Sequence, residues 1–103
     1  MATLQTPWGA AETVEEVAPG IIFVSTCSHG GYHLTRELNE RVPPAWRLAS
    51  FNHRALQGWY EEDVDACMVP LAFPEHFPAP ALPRAQACFD RCIAPKLAKA
   101  RAV

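Results

Sequence analysis

Residues 19–34 have the sequence PGIIFVSTCSHGGYHL, and this stretch decides the fold. It begins with Pro19-Gly20, a strong turn signal, because Pro presets the first central φ angle and Gly accepts a positive one. The β-branched and aromatic run at residues 21–26 then predicts a strand. Residues 13–17, before the turn, alternate weakly and would pair with that strand. The stretch therefore predicts a β-hairpin and the start of an antiparallel sheet.

The residues after this hairpin extend the sheet and then change to helical patterns. Gly30-Gly31 offers a second tight turn, and residues 32–34 could form a short third strand. Thr35 is a suitable N-cap for a short helix, because its hydroxyl can accept an amide hydrogen bond. Pro43-Pro44 would end that helix.

Two further helices are predicted in the second half of the chain. Residues 61–73 place apolar side chains at helical spacing, although Pro70 leaves a strand at residues 66–70 as the alternative. A second apolar stripe follows, which Pro95 would limit: Ala85, Cys88, Phe89, Cys92 and Ile93. We therefore expect an α+β fold, in which a small antiparallel sheet of two or three strands from the N-terminal half packs against two or three short helices from the C-terminal half.

Length and composition limit the class of protein. The chain has 103 residues, which suits a single domain at 1–103 with a core at about 6–95 and a basic tail at 96–103 that frays. Its net charge of −2 provides no basic footprint, so we expect no direct sequence-specific binding of nucleic acid. We expect no membrane association either, because no apolar run reaches the ~18 residues of a span. Without a visible signal peptide, the default expectation is a cytoplasmic protein whose four cysteines are free thiols.

The first candidate site lies in the segment Ser28-His29-Gly30-Gly31. Gly30 and Gly31 remove two side chains beside His29, so a ligand or another backbone could approach closely. A neutral imidazole can act as a base, a hydrogen-bond donor or a metal ligand. The alternative is a histidine whose ring only caps a hairpin turn.

The second candidate site is the segment Trp59-Tyr60-Glu61-Glu62-Asp63, which Asp65 extends into an acidic run. Aromatic rings beside carboxylates could bind a base, a sugar or a cationic side chain. Paired carboxylates could also transfer protons or hold a hard metal ion. The alternative is structural: the aromatics enter the core and the acids lie in the first turn of a helix.

Cys27, His29 and His33 form a further possible metal set, because sulfur with two imidazoles suits zinc. Their spacing matches no closed structural zinc pattern, so we expect no cofactor. Cys27 and His29 are also a poor nucleophile and base pair, because side chains two apart on a strand are parallel neighbours.

Several of these motifs occur together in matching order. Thr6-Pro7-Trp8-Gly9, Ser28-His29-Gly30-Gly31, Trp59-Tyr60-Glu61-Glu62-Asp63 and the segment PLAFPEHFP at 70–78 resemble a small domain of unknown function from proteins of bacteriophages, plasmids and other mobile elements. That family usually has a small residue or Pro at position 27 and tends to lack a proline at position 70. The resemblance brings no activity or cofactor, but it implies a mobile-element setting.

Two hypotheses follow, and the first comes from that setting. The first is a phage-encoded or mobile-element-encoded protein in the cytoplasm of a bacterial host, an inhibitor of the anti-CRISPR or anti-restriction type. It would occlude a host protein or nucleoprotein complex through a surface made of Trp59, Tyr60, Glu61, Glu62, Asp63, Asp65, His29, Gly30 and Gly31. The second rests on the residues and not on that setting: it is a small metal-dependent hydrolase or other enzyme that uses His29 with Glu61, Glu62 or Asp63. A homodimer formed through exposed Trp8 or Trp46 is a further option.

Overall fold

The computed structural model describes residues 3–101, and their fold is α+β, as predicted. One antiparallel sheet within this range has four strands in the order β3-β4-β5-β6, and a separate short ribbon pairs β1 with β2. The strands are β1 (Gln5–Thr6), β2 (Gly9–Ala10), β3 (Thr13–Ala18), β4 (Ile21–Ser25), β5 (Gly30–Leu34) and β6 (Trp59–Glu61). The α-helices are α1 (Arg36–Asn39), α2 (Pro44–Ala49), α3 (Met68–Ala72), α4 (Ala81–Cys88) and α5 (Ala94–Arg101).

Shorter helical segments connect these elements. Turns of 3-10 helix span Phe51–Gln57, which is interrupted by left-handed backbone at Asn52 and His53, and also Asp65–Cys67 and Pro74–His76. One turn of π-helix spans Phe89–Ile93. No helix within residues 3–101 is long and apolar enough to cross a membrane.

The predicted hairpin is confirmed, and the sheet is larger than predicted. β3 and β4 pair around Pro19-Gly20, where Gly20 adopts a φ of 89°. The fourth strand, β6, pairs with β5 and comes from the second half of the chain, in a segment that we had placed at the start of a helix. Three residues that follow the left-handed Gly58 are too few for a visible alternation, so the sequence pattern conceals this strand.

The connection between β4 and β5 also differs from the prediction. Gly30 and Gly31 lie inside β5, and the turn is formed by residues 26–29. The Thr26 hydroxyl closes this turn, because it accepts the His29 amide at 3.1 Å and donates to the His29 carbonyl oxygen at 2.8 Å. Gly31 serves packing instead, since a Cβ atom there would lie 2.6 Å from Cη2 of Trp8.

The helix predicted at 61–73 is confirmed only over residues 65–72, and its alternative, a strand at 66–70, is not formed. Residues 59–61 form β6, and α3 begins only at Met68. Pro70 is the third residue of α3, a position at which the missing amide hydrogen would have no partner within the helix. The apolar spacing is nevertheless meaningful, because Cys67 and Met68 are buried.

The C-terminal helix continues past the position at which we expected it to end. α4, the π-helical turn and α5 follow one another without a break, and the Ala94 amide bonds to the Phe89 carbonyl five residues earlier. This wider turn directly precedes Pro95, whose ring would otherwise meet the carbonyl four residues before it. The basic segment from Lys96, predicted to fray, is helical through Arg101, and residues 102–103 lie outside the described range.

The core lies between the sheet and the helices, and a polar network is buried within it. Tyr60 of β6 is fully buried, and its hydroxyl donates a 2.5 Å hydrogen bond to Oδ1 of Asn39. The Asn39 amide in turn donates to the Ala55 carbonyl at 2.7 Å. The network therefore ties the sheet to α1 and to the 3-10 segment Phe51–Gln57.

The cysteines take no part in disulfides. All four thiols are free, and burial raises the pKa of Cys67 to about 12. Cys67 is therefore a small core hydrophobe.

The buried network predicts a stability effect at Tyr60. Tyr60→Phe leaves the Asn39 carbonyl oxygen buried without its donor, which should lower the free energy of unfolding by about 1–3 kcal/mol. Urea denaturation measures this change. Tyr32→Phe removes a hydroxyl from a half-buried ring outside the network and is the matched control. Equal losses in the two variants would contradict the role of the network.

Candidate functional site

The two candidate segments meet at one end of the sheet. His29 leads into β5 and Glu61 ends β6, and the register pairs Gly31 with Glu61. This arrangement places Nδ1 of His29 3.5 Å from Oε1 of Glu61. The other carboxylate oxygen of Glu61 lies 3.8 Å from Nη1 of Arg54. The Glu61 carboxylate thus has an imidazole on one side and a guanidinium on the other.

Asp63 joins this pair, whereas Glu62 does not. One ligand atom from each of His29, Glu61 and Asp63 lies within 4.8 Å of the others, and this cluster is the only group of potential metal ligands among residues 3–101. Glu62 is directed toward Gly30, since its Oε2 lies 3.1 Å from the place of a Cβ on that glycine. The structure therefore brings His29 together with two of the three predicted carboxylates.

A cleft of about 250 Å³ opens beside Glu61 and Asp63. Its lining consists of Phe51, Glu61, Asp63, Val64, Asp65 and Lys96. Such a volume admits a small polar group, because pockets for drug-sized ligands begin at about 300 Å³.

Asp65 forms a wall of this cleft and is only 1% exposed, so it is not part of the exposed acidic run that we predicted. Its Oδ2 accepts the Phe51 amide at 2.9 Å, while its Oδ1 is buried without a partner among the described residues. Burial raises the pKa of the Asp65 carboxyl, against the opposing effect of the Phe51 hydrogen bond. A buried carboxylate oxygen is costly when it lacks a partner, so the wall of the cleft contains an unsatisfied acceptor.

The rim of the cleft is a strained loop that carries an exposed aromatic ring. Asn52 and His53 have φ angles of 52° and 55°, a left-handed conformation that is uncommon for residues other than glycine. The hydrogen bond from Phe51 to Asp65 holds the start of this loop. The Phe51 side chain is 56% exposed, with the Arg54 guanidinium 5.6 Å from its ring centroid.

The aromatic residues that we predicted as partner contacts are less exposed than expected. Tyr60 is fully buried, so it cannot contact a partner. Trp59 is half-buried between Trp8, in an edge-to-face arrangement at 5.7 Å, and His33, at 4.3 Å. Trp46 packs against Phe89 at 4.7 Å, and both it and Trp8 are half-buried, so neither ring is as exposed as we expected. Gly30 and Gly31 are buried as well.

The possible metal set of Cys27, His29 and His33 is not assembled in the described part of the chain. Cys27 and His29 lie in a turn and not on a strand, and His33 packs on Trp59. A hydrogen bond with Glu12 raises the pKa of the exposed Cys27 thiol, which disfavours the thiolate that a metal or a nucleophile requires.

Sequence patterns did not identify Phe51, Arg54 or Lys96 as site residues. Phe51 and Arg54 belong to a segment without a clean hydrophobic period, and Lys96 lies in the basic C-terminal segment. Phe51 and Lys96 line the cleft and Arg54 contacts Glu61, but all three lie outside the two candidate segments, so local spacing carries no signal for them.

The comparisons with known proteins give one match. The family model described as "Domain of unknown function (DUF7007)" matches residues 1–100. No curated protein and no solved structure matches the chain.

The lowered pKa of His33 predicts how the stability of the fold depends on pH. Burial lowers the pKa of His33 from its ordinary value of 6.5, so the unfolded chain binds the proton more readily than the folded one. The contribution to stability is therefore full above pH 6.5 and is lost as the pH falls below it. His33→Phe, which keeps a ring on Trp59, should flatten the unfolding free energy between pH 8 and pH 5. Urea titrations at several pH values test this, and an unchanged slope in the variant would contradict it.

Proposed function

We propose that this chain, which belongs to the DUF7007 family of domains of unknown function, is a small metal-dependent hydrolase. Its ion would be held by His29, Glu61 and Asp63. The observation that carries the proposal is the convergence of one imidazole and two carboxylates at the mouth of a cleft. The convergence is not local, because His29 and Glu61 are 32 positions apart in the sequence and meet through strand pairing.

The donor set fits a divalent cation. One imidazole nitrogen with carboxylate oxygens is suited to zinc or manganese. Ligand atoms at about 2.1 Å from an ion lie roughly 3 to 3.5 Å apart, so the cluster must contract from its present span. His29 and Asp63 are exposed and can make this movement, whereas Glu61 is held by Arg54.

A second observation is independent of the cluster. Asp65 is nine-tenths buried or more on the wall of the same cleft, and its Oδ1 lacks a partner among the described residues. An oxygen in this position can accept a hydrogen bond from water or substrate beside the ion. Three protein ligands also leave coordination positions open, which distinguishes catalytic sites from closed structural ones.

Each side chain has a distinct role in the proposed hydrolysis. A divalent ion supplies Lewis acidity and lowers the pKa of water. Arg54 orients the Glu61 carboxylate through Oε2, which leaves Oε1 free to bind the ion, as supporting residues commonly do around a metal site. In the net reaction, the water oxygen forms a bond to the electrophilic atom of the substrate, and the bond from that atom to the leaving group breaks. One water proton goes to the leaving group.

The inhibitor hypothesis stays a prediction, as do its host partner, the mobile-element origin and the homodimer. Two of its proposed contacts, Tyr60 and Asp65, are buried and unavailable to a protein partner in this conformation. Among its acidic contacts, Glu62 and Asp63 are exposed.

Metal titration tests the proposed site. Calorimetry with Mn²⁺ and Zn²⁺ should show one strong site, and Glu61→Gln or Asp63→Asn should weaken it by roughly ten-fold or more, since even the loss of a supporting residue costs about that much. Glu62→Gln is the matched control for Glu61→Gln, because it removes a neighbouring carboxylate that is directed away from the cluster. His29→Ala should weaken the site as well, and His76→Ala is its matched control.

Circular dichroism of each variant separates a loss of ligand from a loss of fold. Equal affinity in wild type and in folded Glu61→Gln would overturn the metal site. An equal loss of affinity in Glu62→Gln and Glu61→Gln would do the same, because it would reflect general negative charge.

A further inference from the structure

The cleft beside the candidate metal cluster carries positive charge of its own. Lys96 of α5 lines it together with Glu61, Asp63 and Asp65. Its ammonium donates one hydrogen bond, at 3.1 Å, to the Ala49 carbonyl. An ammonium group has three donors, so two remain for a ligand. Lys96 is thus anchored at the end of α2 and still able to bind.

The charge balance of the cleft depends on the ion. Within the lining, a divalent ion offsets Glu61 and Asp63, and Lys96 offsets Asp65. Arg54, which lies beside Glu61 and outside the lining, adds one positive charge nearby. A local excess of positive charge concentrates ligands of negative charge. The substrate that fits is therefore an anion, and the small volume limits its buried part to a group such as phosphate.

Phe51 adds an apolar surface at the rim. Phe51 lines the cleft and is 56% exposed, and the Arg54 guanidinium lies over one face of its ring, 5.6 Å from the centroid. An exposed ring next to a guanidinium provides a platform for a flat, conjugated group. This platform lies next to the region where Lys96 and the carboxylates meet, so a ligand could occupy both at once.

We infer that the cleft binds a phosphate ester that carries a flat ring, such as a nucleotide. The phosphate lies between Lys96 and the ion, and the ring stacks on Phe51. This inference rests on the proposed function and specifies its substrate class. The hydrolysis forms a bond between the water oxygen and phosphorus and breaks the bond between phosphorus and the ester oxygen. One water proton goes to that oxygen to give the alcohol, and the other stays on the phosphate.

Binding can be tested without turnover. Mn²⁺ bound to the protein should broaden the ³¹P resonance of thymidine 5′-monophosphate, and a titration gives its dissociation constant. Lys96→Gln should raise that constant about ten-fold while leaving the calorimetric affinity for Mn²⁺ unchanged. Lys99→Gln, a neighbour on α5 that does not line the cleft, is the matched control and should bind as wild type does.

The ring contact has its own test. Phe51→Ala should weaken thymidine 5′-monophosphate about five-fold or more, which is the scale of base stacking on an aromatic side chain, and leave inorganic phosphate unaffected. Leu56→Ala, which truncates another exposed apolar side chain of the same 3-10 segment, is its control.

The outcomes separate the two proposals. If the protein binds no Mn²⁺, the proposed function and this inference are both overturned. If the protein binds Mn²⁺ but the ³¹P resonances of thymidine 5′-monophosphate and inorganic phosphate are not broadened, only this inference is overturned. Equal nucleotide affinity in wild type and Lys96→Gln also overturns it, and equal affinity in wild type and Phe51→Ala removes the ring as the second contact.

Discussion

The pairing of β6 with β5 is the constraint on which the candidate site depends. It sets Glu61 opposite Gly31, two positions beyond His29, and so brings an imidazole and a carboxylate from distant segments to the same end of the sheet. The pairing is held from the core side by Tyr60, whose hydroxyl bonds to Asn39 inside the core. On the opposite face, Gly31 leaves room for Trp8, which packs edge to face on Trp59. Backbone pairing and side-chain packing on both faces thus fix one register.

Two features that cost folding free energy lie close to the paired strands. Asp65 is buried in the wall of the cleft with one oxygen unpaired, and the loop that it holds contains two left-handed residues, Asn52 and His53. Buried unpaired acceptors and left-handed backbone outside glycine both cost free energy, and such costs concentrate at functional sites. Their coincidence next to His29, Glu61 and Asp63 distinguishes this cleft from an ordinary acidic surface.

The sequence predictions were correct where neighbouring residues determine the structure and wrong where distant residues determine it. The Pro19-Gly20 turn and the strand after it depend on neighbouring residues, and both were predicted. β6 has three residues, and its identity depends on a partner strand about 28 positions earlier, so the pattern indicated a helix in its place. Pro95 was expected to end a helix, but a π-helical turn accommodates it, and that turn has no signature in the apolar spacing.

The sequence by itself determined the α+β class, the first hairpin and the types of residue available for chemistry. It singled out His29 and the carboxylates at 61–63, because glycines beside a histidine and adjacent acids are visible as local composition. Only the tertiary structure decided which of them meet. Glu61 and Asp63 reach His29 while Glu62 is directed toward Gly30, and Lys96 and Phe51 enter the cleft from segments with no local signal. The physical reason is that strand register sets the face on which each side chain lies, and a shift of one residue would exchange Glu61 for Glu62.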